Sequence, residues 1–84
     1  MFAKVKSLVF IDAVKLQFTT PKGDFFTGVL RDDQGSVCST IEKRLAADNQ
    51  ELHWTGLNDL PYGRYTLELC HGEDNMKMNL VKRV

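Results

Sequence analysis

Eighty-four residues with eleven basic and eleven acidic side chains leave room for one core and lack the basic surplus that a nucleic-acid binder carries. At 43% hydrophobic and 26% charged, the composition is that of a globular domain spanning 1–84, neither disordered nor membrane-like. No segment approaches the roughly 20 apolar residues of a membrane helix, so neither nucleic acid nor membrane is expected as a partner.

The chain opens with "MFAKVKSLVFIDAVK", two lysines followed by a short apolar run. That run ends at Asp12, is too short for a signal peptide and has no small-residue cleavage site. A cytoplasmic location follows, or export only as part of a larger assembly. Residues 1–11 read as an additional or edge strand, and the continuous apolar run predicts cover on both sides.

Alternation then takes over. "AVKLQFT" puts Val14, Leu16 and Phe18 on one face and Lys15 and Gln17 on the other. "ELHWT" pairs Leu52 with Trp54 and turns His53 outward. "RYTLELC" aligns Tyr65, Leu67 and Leu69; "NMKMNLV" aligns Met76, Met78 and Leu80. Turn signals separate these runs: "PKGD" at 21–24, "DDQG" at 32–35, "ADNQ" at 47–50, "LNDLPYG" at 57–63 and "HGED" at 71–74. The expectation is an all-β fold, a small antiparallel β-sandwich of about six to seven strands. "STIEKRLAADN" reads as extended. The alternative is one short helical turn near 40–47, with Ser39 and Glu42 as a capping box.

Chemistry finds little purchase. Cys70 and His71 are adjacent on a strand and point to opposite faces, so they cannot act as nucleophile and base. Cys38, His53, Cys70 and His71 lack the spacing of a zinc core. Asp32 and Asp33 open like a calcium loop, but the alternating oxygen ligands stop there, and a hairpin turn accounts for them better. Neither a catalytic residue, a cofactor site nor a metal site is expected. Cys38 and Cys70 read as reduced, partly buried thiols, with one disulfide as the alternative. Lys4, Lys6, Lys82 and Arg83 read as solvated charges near the two ends. Phe25, Phe26 and Tyr62 differ from the other aromatics in lying beside turns, and an aromatic on a loop rim anchors protein partners.

"GDFFTGVLRDDQGSV", "AADNQELHWTGL" and "LPYGRYTLEL" together resemble the prealbumin-like repeat domains called Cna-B or SpaA-type, over roughly residues 13–80. Gly56, Leu57, Leu60, Gly63, Tyr65 and Leu67 match the run that closes those domains. The resemblance implies a transthyretin-like sandwich serving as a spacer, rod segment or docking module. Some members form an internal isopeptide between a core lysine and an asparagine. Here Lys15 alternates away from the core face, as does Asn79, and Leu69 occupies the place where an acid would be needed. Expected, then, is a non-catalytic protein-binding or adaptor module that meets a protein partner through a rim at Phe25, Phe26 and Tyr62 or through an open sheet edge. The alternatives are a structural subunit of a homo-oligomeric assembly and, last, a small-ligand binder.

Overall fold

Turn chemistry cuts the described residues into eight strands: β1 (Ala3–Val5), β2 (Val9–Phe10), β3 (Val14–Phe18), β4 (Phe25–Asp32), β5 (Val37–Arg44), β6 (Glu51–Trp54), β7 (Gly63–His71) and β8 (Asp74–Lys82). The computed structural model describes residues 3–20 and 22–83. Pro21, part of the first turn signal, lies outside them, as do Met1, Phe2 and Val84. A three-stranded sheet in the order β1-β3-β6 packs on a five-stranded sheet in the order β2-β8-β7-β4-β5. The fold is all-β, and no helix among the described residues is long and apolar enough to cross a membrane.

The core is built by alternation. Val14, Leu16 and Phe18 of β3 and Leu52 and Trp54 of β6 face Phe26 and Leu30 of β4, Tyr65, Leu67 and Leu69 of β7, and Met76 and Leu80 of β8; all are buried. Trp54 satisfies its one polar atom by donating Nε1–H to Ser39 Oγ at 3.1 Å, which also fixes β6 above β5. Residues 39–44, where a helical turn was the alternative, are strand. Ile41 pairs with Gly28 and Lys43 with Phe26, and the ladder continues as Leu45 N–H donates to Asp24 O at 2.8 Å. A helix there would forfeit this ladder and lift Leu45 out of the core.

Two expectations are corrected at the N-terminus. The single added strand is two short ones, which brings the count to eight. β1 pairs with β3 in one sheet, and β2 pairs with β8 in the other. The β2–β8 pair is parallel, with Val9 beside Val81, so the fold is not antiparallel throughout. Nor is the apolar run covered on both sides: Phe10 is buried, whereas Leu8, Val9 and Ile11 are exposed. A strand that crosses from sheet to sheet at a sandwich border has only one neighbour to bury it.

The turns show why they sit where they do. In the β4–β5 hairpin, Asp32 Oδ1 accepts from Gln34 N and Ser36 N, both at 2.9 Å, and Gly35 takes a φ of +87° that costs glycine nothing. Before β7, Tyr65 Oη donates to Pro61 O at 2.5 Å. This is a tyrosine corner, a side-chain strut across the bend that feeds a central strand. Burial pushes the phenol above its usual pKa, so it stays protonated and donating. Tyr65→Phe keeps the ring and removes the strut. The expected loss is about 1 kcal/mol, a fall in Tm of about 4–8 °C for a domain this small, read by thermal unfolding; an unchanged Tm would show the strut to be idle.

Candidate functional site

The three rim aromatics do not form one surface. Phe26 is 1% exposed, and its ring centroid lies 4.4 Å from that of Phe18. It belongs to the core and is withdrawn as a partner contact, because its place in β4 is in phase with Leu30. Phe25 and Tyr62 are 46% and 64% exposed, but they stand at opposite ends of the sheet. Thr27 pairs with Cys70 and Asp32 with Tyr65, so Phe25 flanks the His71 end while Tyr62 precedes Gly63 at the other. An eight-residue β4 separates them by roughly 24 Å at ordinary strand rise.

Each exposed ring also has a local duty. The Arg44 guanidinium lies 5.8 Å from the Phe25 centroid, and the Lys82 ammonium lies 5.2 Å from the Tyr62 centroid. Lys82 is a second correction: it is 2% exposed, not solvated. Its position is in phase with Leu80, which turns its stem inward at the end of β8, opposite Gly63. Its Nζ also donates to Arg83 O at 3.5 Å.

The thiols are free and half-buried. Cys70 pairs with Thr27 of β4, whereas Cys38 of β5 sits beside the Leu30–Arg31 bulge. Two strand spacings and about four residues of rise separate them by roughly 16 Å, beyond the ~7 Å that a disulfide allows between Cα atoms. Lys15 and Asn79 are both exposed, on different sheets. Among the described residues no cluster of three or more His, Cys, Asp or Glu side chains is placed to hold a metal ion.

One charged cluster has a resolved effect. Lys6 Nζ lies 2.6 Å from Glu51 Oε2, and His53 Nε2 lies 2.9 Å from Glu51 Oε1. The Lys6 hydrogen bond first, then that of His53, lower the Glu51 carboxyl to a pKa of about 2. A carboxylate depressed in the folded state adds stability that is complete above its unfolded value, about 4.5, and fades as pH falls toward 2. The midpoint difference between the native chain and Glu51→Gln should therefore shrink from pH 6 to pH 2.5 in urea titrations. It should also shrink with salt, since the pair is exposed. A difference constant with pH would contradict the assignment.

What the sequence left unplaced is the open border. β5 is the outermost strand of the larger sheet, eight residues long, with no strand beyond it among the described residues. Antiparallel bonds alternate in direction along a strand. Since Leu45 N bonds to β4, so do the backbone groups of Lys43, Ile41 and Ser39, while those of Thr40, Glu42 and Arg44 point away from the sheet. The signal was present in "EKR" at 42–44: three charges in succession cannot belong to a strand covered on one face and flanked on both sides. No protein-family model matches this sequence, and no curated protein matches it.

Proposed function

We propose that the chain is a non-catalytic protein-binding or adaptor module on a transthyretin-like sandwich, and that a partner strand adds to β5. The observation that carries this reading is the length of the open β5 edge, Val37–Arg44. Each backbone group that an edge leaves to water is a specific donor or acceptor for an incoming strand. The half-buried Ile41 and the exposed hydroxyl of Thr40 give that strand side chains to meet.

The test is selection of extended peptides from a display library by the native protein. Thr40→Pro removes a donor that points away from β4, so the ladder within the sheet survives. Its β-sheet circular dichroism should be unchanged, and it should no longer capture the peptides that protect the Thr40, Glu42 and Arg44 amides of the native protein. Retained capture of those peptides, or no enrichment of any such peptide by the native protein, defeats the reading.

A second reading, a homo-oligomeric structural subunit, is favoured by one feature of the same edge. Antiparallel pairing of two β5 strands centred on Ile41 sets Thr40 against Glu42 and Ser39 against Lys43, with no like charges opposed. Sedimentation velocity separates the two readings: a dimer abolished by Thr40→Pro supports self-pairing, and a monomer removes it.

A further inference from the structure

The larger sheet has a second border, and it is only partly closed. β2 covers β8 at Val81 and Lys82, where Val81 N–H donates to Leu8 O at 2.8 Å and Arg83 N–H to Phe10 O at 2.9 Å. N-terminal to Leu8 the chain runs to β1 in the other sheet. Residues 74–79 of β8 thus have no neighbouring strand on that side among the described residues. The Val81–Leu8 bond fixes the direction of the alternating groups: those of Asn75, Lys77 and Asn79 point out of the sheet edge. The gap is about 17 Å long at ordinary strand rise.

Its surroundings describe an occupant. Leu8, Val9 and Val81 are 57%, 43% and 40% exposed and line an open groove of about 500 Å³ on the outer sheet face with Arg64 and Asn79. On the inner side Met78 is only partly buried, though it packs against the core. The Lys77 side chain is 70% exposed and lies 3.9 Å from Glu68, a carboxylate already held by Arg31 at 3.2 Å. The exposed Lys77 stands within the gap and the exposed Arg64 stands one strand inward, opposite Val81 at the β2 end, while the exposed Asp74 occupies the far end of the gap and Asp33 lines the groove.

We infer that the open part of β8 receives an extended segment of another protein in which apolar and acidic residues alternate, added as a strand end to end with β2. The apolar residues of that segment face inward and complete the burial of Met78. Its acidic residues face outward, one beside Lys77 and the last at the end of the groove that Leu8, Val9 and Val81 share with Arg64. Antiparallel self-pairing of β8 opposes Lys77 to its own counterpart in the register centred on Lys77, and sets it against Asn75 in the register centred on Met76, so a second copy is the rival occupant that the test separates. The site goes beyond the β5 reading and uses the other border of the same sheet. With both borders occupied, one sheet joins two partners.

The probe is a nine-residue synthetic peptide of alternating valine and glutamate, titrated into the ¹⁵N-labelled full chain in both the native and the Thr40→Pro forms. Expected are slowed amide exchange at Asn75, Lys77 and Asn79 in both forms and shifts at Leu8, Val9 and Val81. The double variant Arg64→Glu, Lys77→Glu should bind about tenfold more weakly, and a valine–lysine peptide should bind the native chain more weakly than the acidic one. Protection at Thr40, Glu42 and Arg44 instead, equal affinity for the two peptides, or no binding overturns the inference. So does a dimer whose β8 amides are protected without peptide, which would name a second copy as the occupant. Because the Thr40→Pro form closes β5 alone, failure at one border is distinguishable from failure at the other.

Discussion

Phe18→Ala should leave the domain with little or no stability at 25 °C. Phe18 is fully buried and stands in the smaller sheet with its ring centroid 4.4 Å from that of Phe26 in the larger one, so it packs the two layers together directly. Truncating a buried phenylalanine costs about 3–5 kcal/mol, transfer and cavity together. At about 0.05–0.15 kcal/mol per residue, an 84-residue chain holds roughly 4–13 kcal/mol in all. The small core favours the lower half of that range. The urea midpoint should fall toward zero and Tm by about 15–30 °C. Phe18→Leu, which fills most of the volume, should recover the greater part. A loss under about 1 kcal/mol for the alanine variant would mean that the two layers are held elsewhere.

Gly28→Val should cost about 3 kcal/mol, near the top of the range for overpacking. A Cβ at Gly28 would lie 2.8 Å from Ile41 Cγ2 and 3.1 Å from both Leu69 Cδ2 and Trp54 Cζ3. Ile41 sits on the edge strand and has room to yield. Leu69 and Trp54 are buried, and the indole is pinned by its bond to Ser39. Even Gly28→Ala should destabilise. The strand gains about 0.5–1 kcal/mol from replacing glycine, but the crowding costs about 1–3. Chemical denaturation decides the sign, and a stabilised alanine variant would show that Trp54 moves freely. No strain of φ is involved at this position; the glycine is there because three side chains meet over it.

Gly28 also marks where sequence reading reaches its limit. Alternation in "AVKLQFT", "ELHWT" and "RYTLELC" states which side chains go inside, because a strand offers only two faces. It does not state which strands become neighbours, and register decides the rest. Consecutive Phe25 and Phe26 must take opposite faces of a strand. Which one faces inward depends on the phase with Leu30, and that both Phe25 and Tyr62 cannot share a rim depends on β4 running antiparallel to β7. Lys82 reads as surface by residue type, although its phase with Leu80 turns its stem inward. The border at β5 was written in Glu42, Lys43 and Arg44. The gap along β8 was not, because it follows from how short β2 is and where the chain turns at Ser7.

The ladder between Val9 and Val81 joins positions from the beginning and the end of this sequence. On a ribosome β2 would emerge before β8 and wait for its partner until that strand had cleared the exit tunnel. Leu8, Val9, Phe10 and Ile11 would spend that interval unsheltered, a hydrophobic flag for chaperones and a hazard for aggregation. Vectorial synthesis can thus assemble the middle of the molecule in passing, but the larger sheet closes only once β8 has emerged.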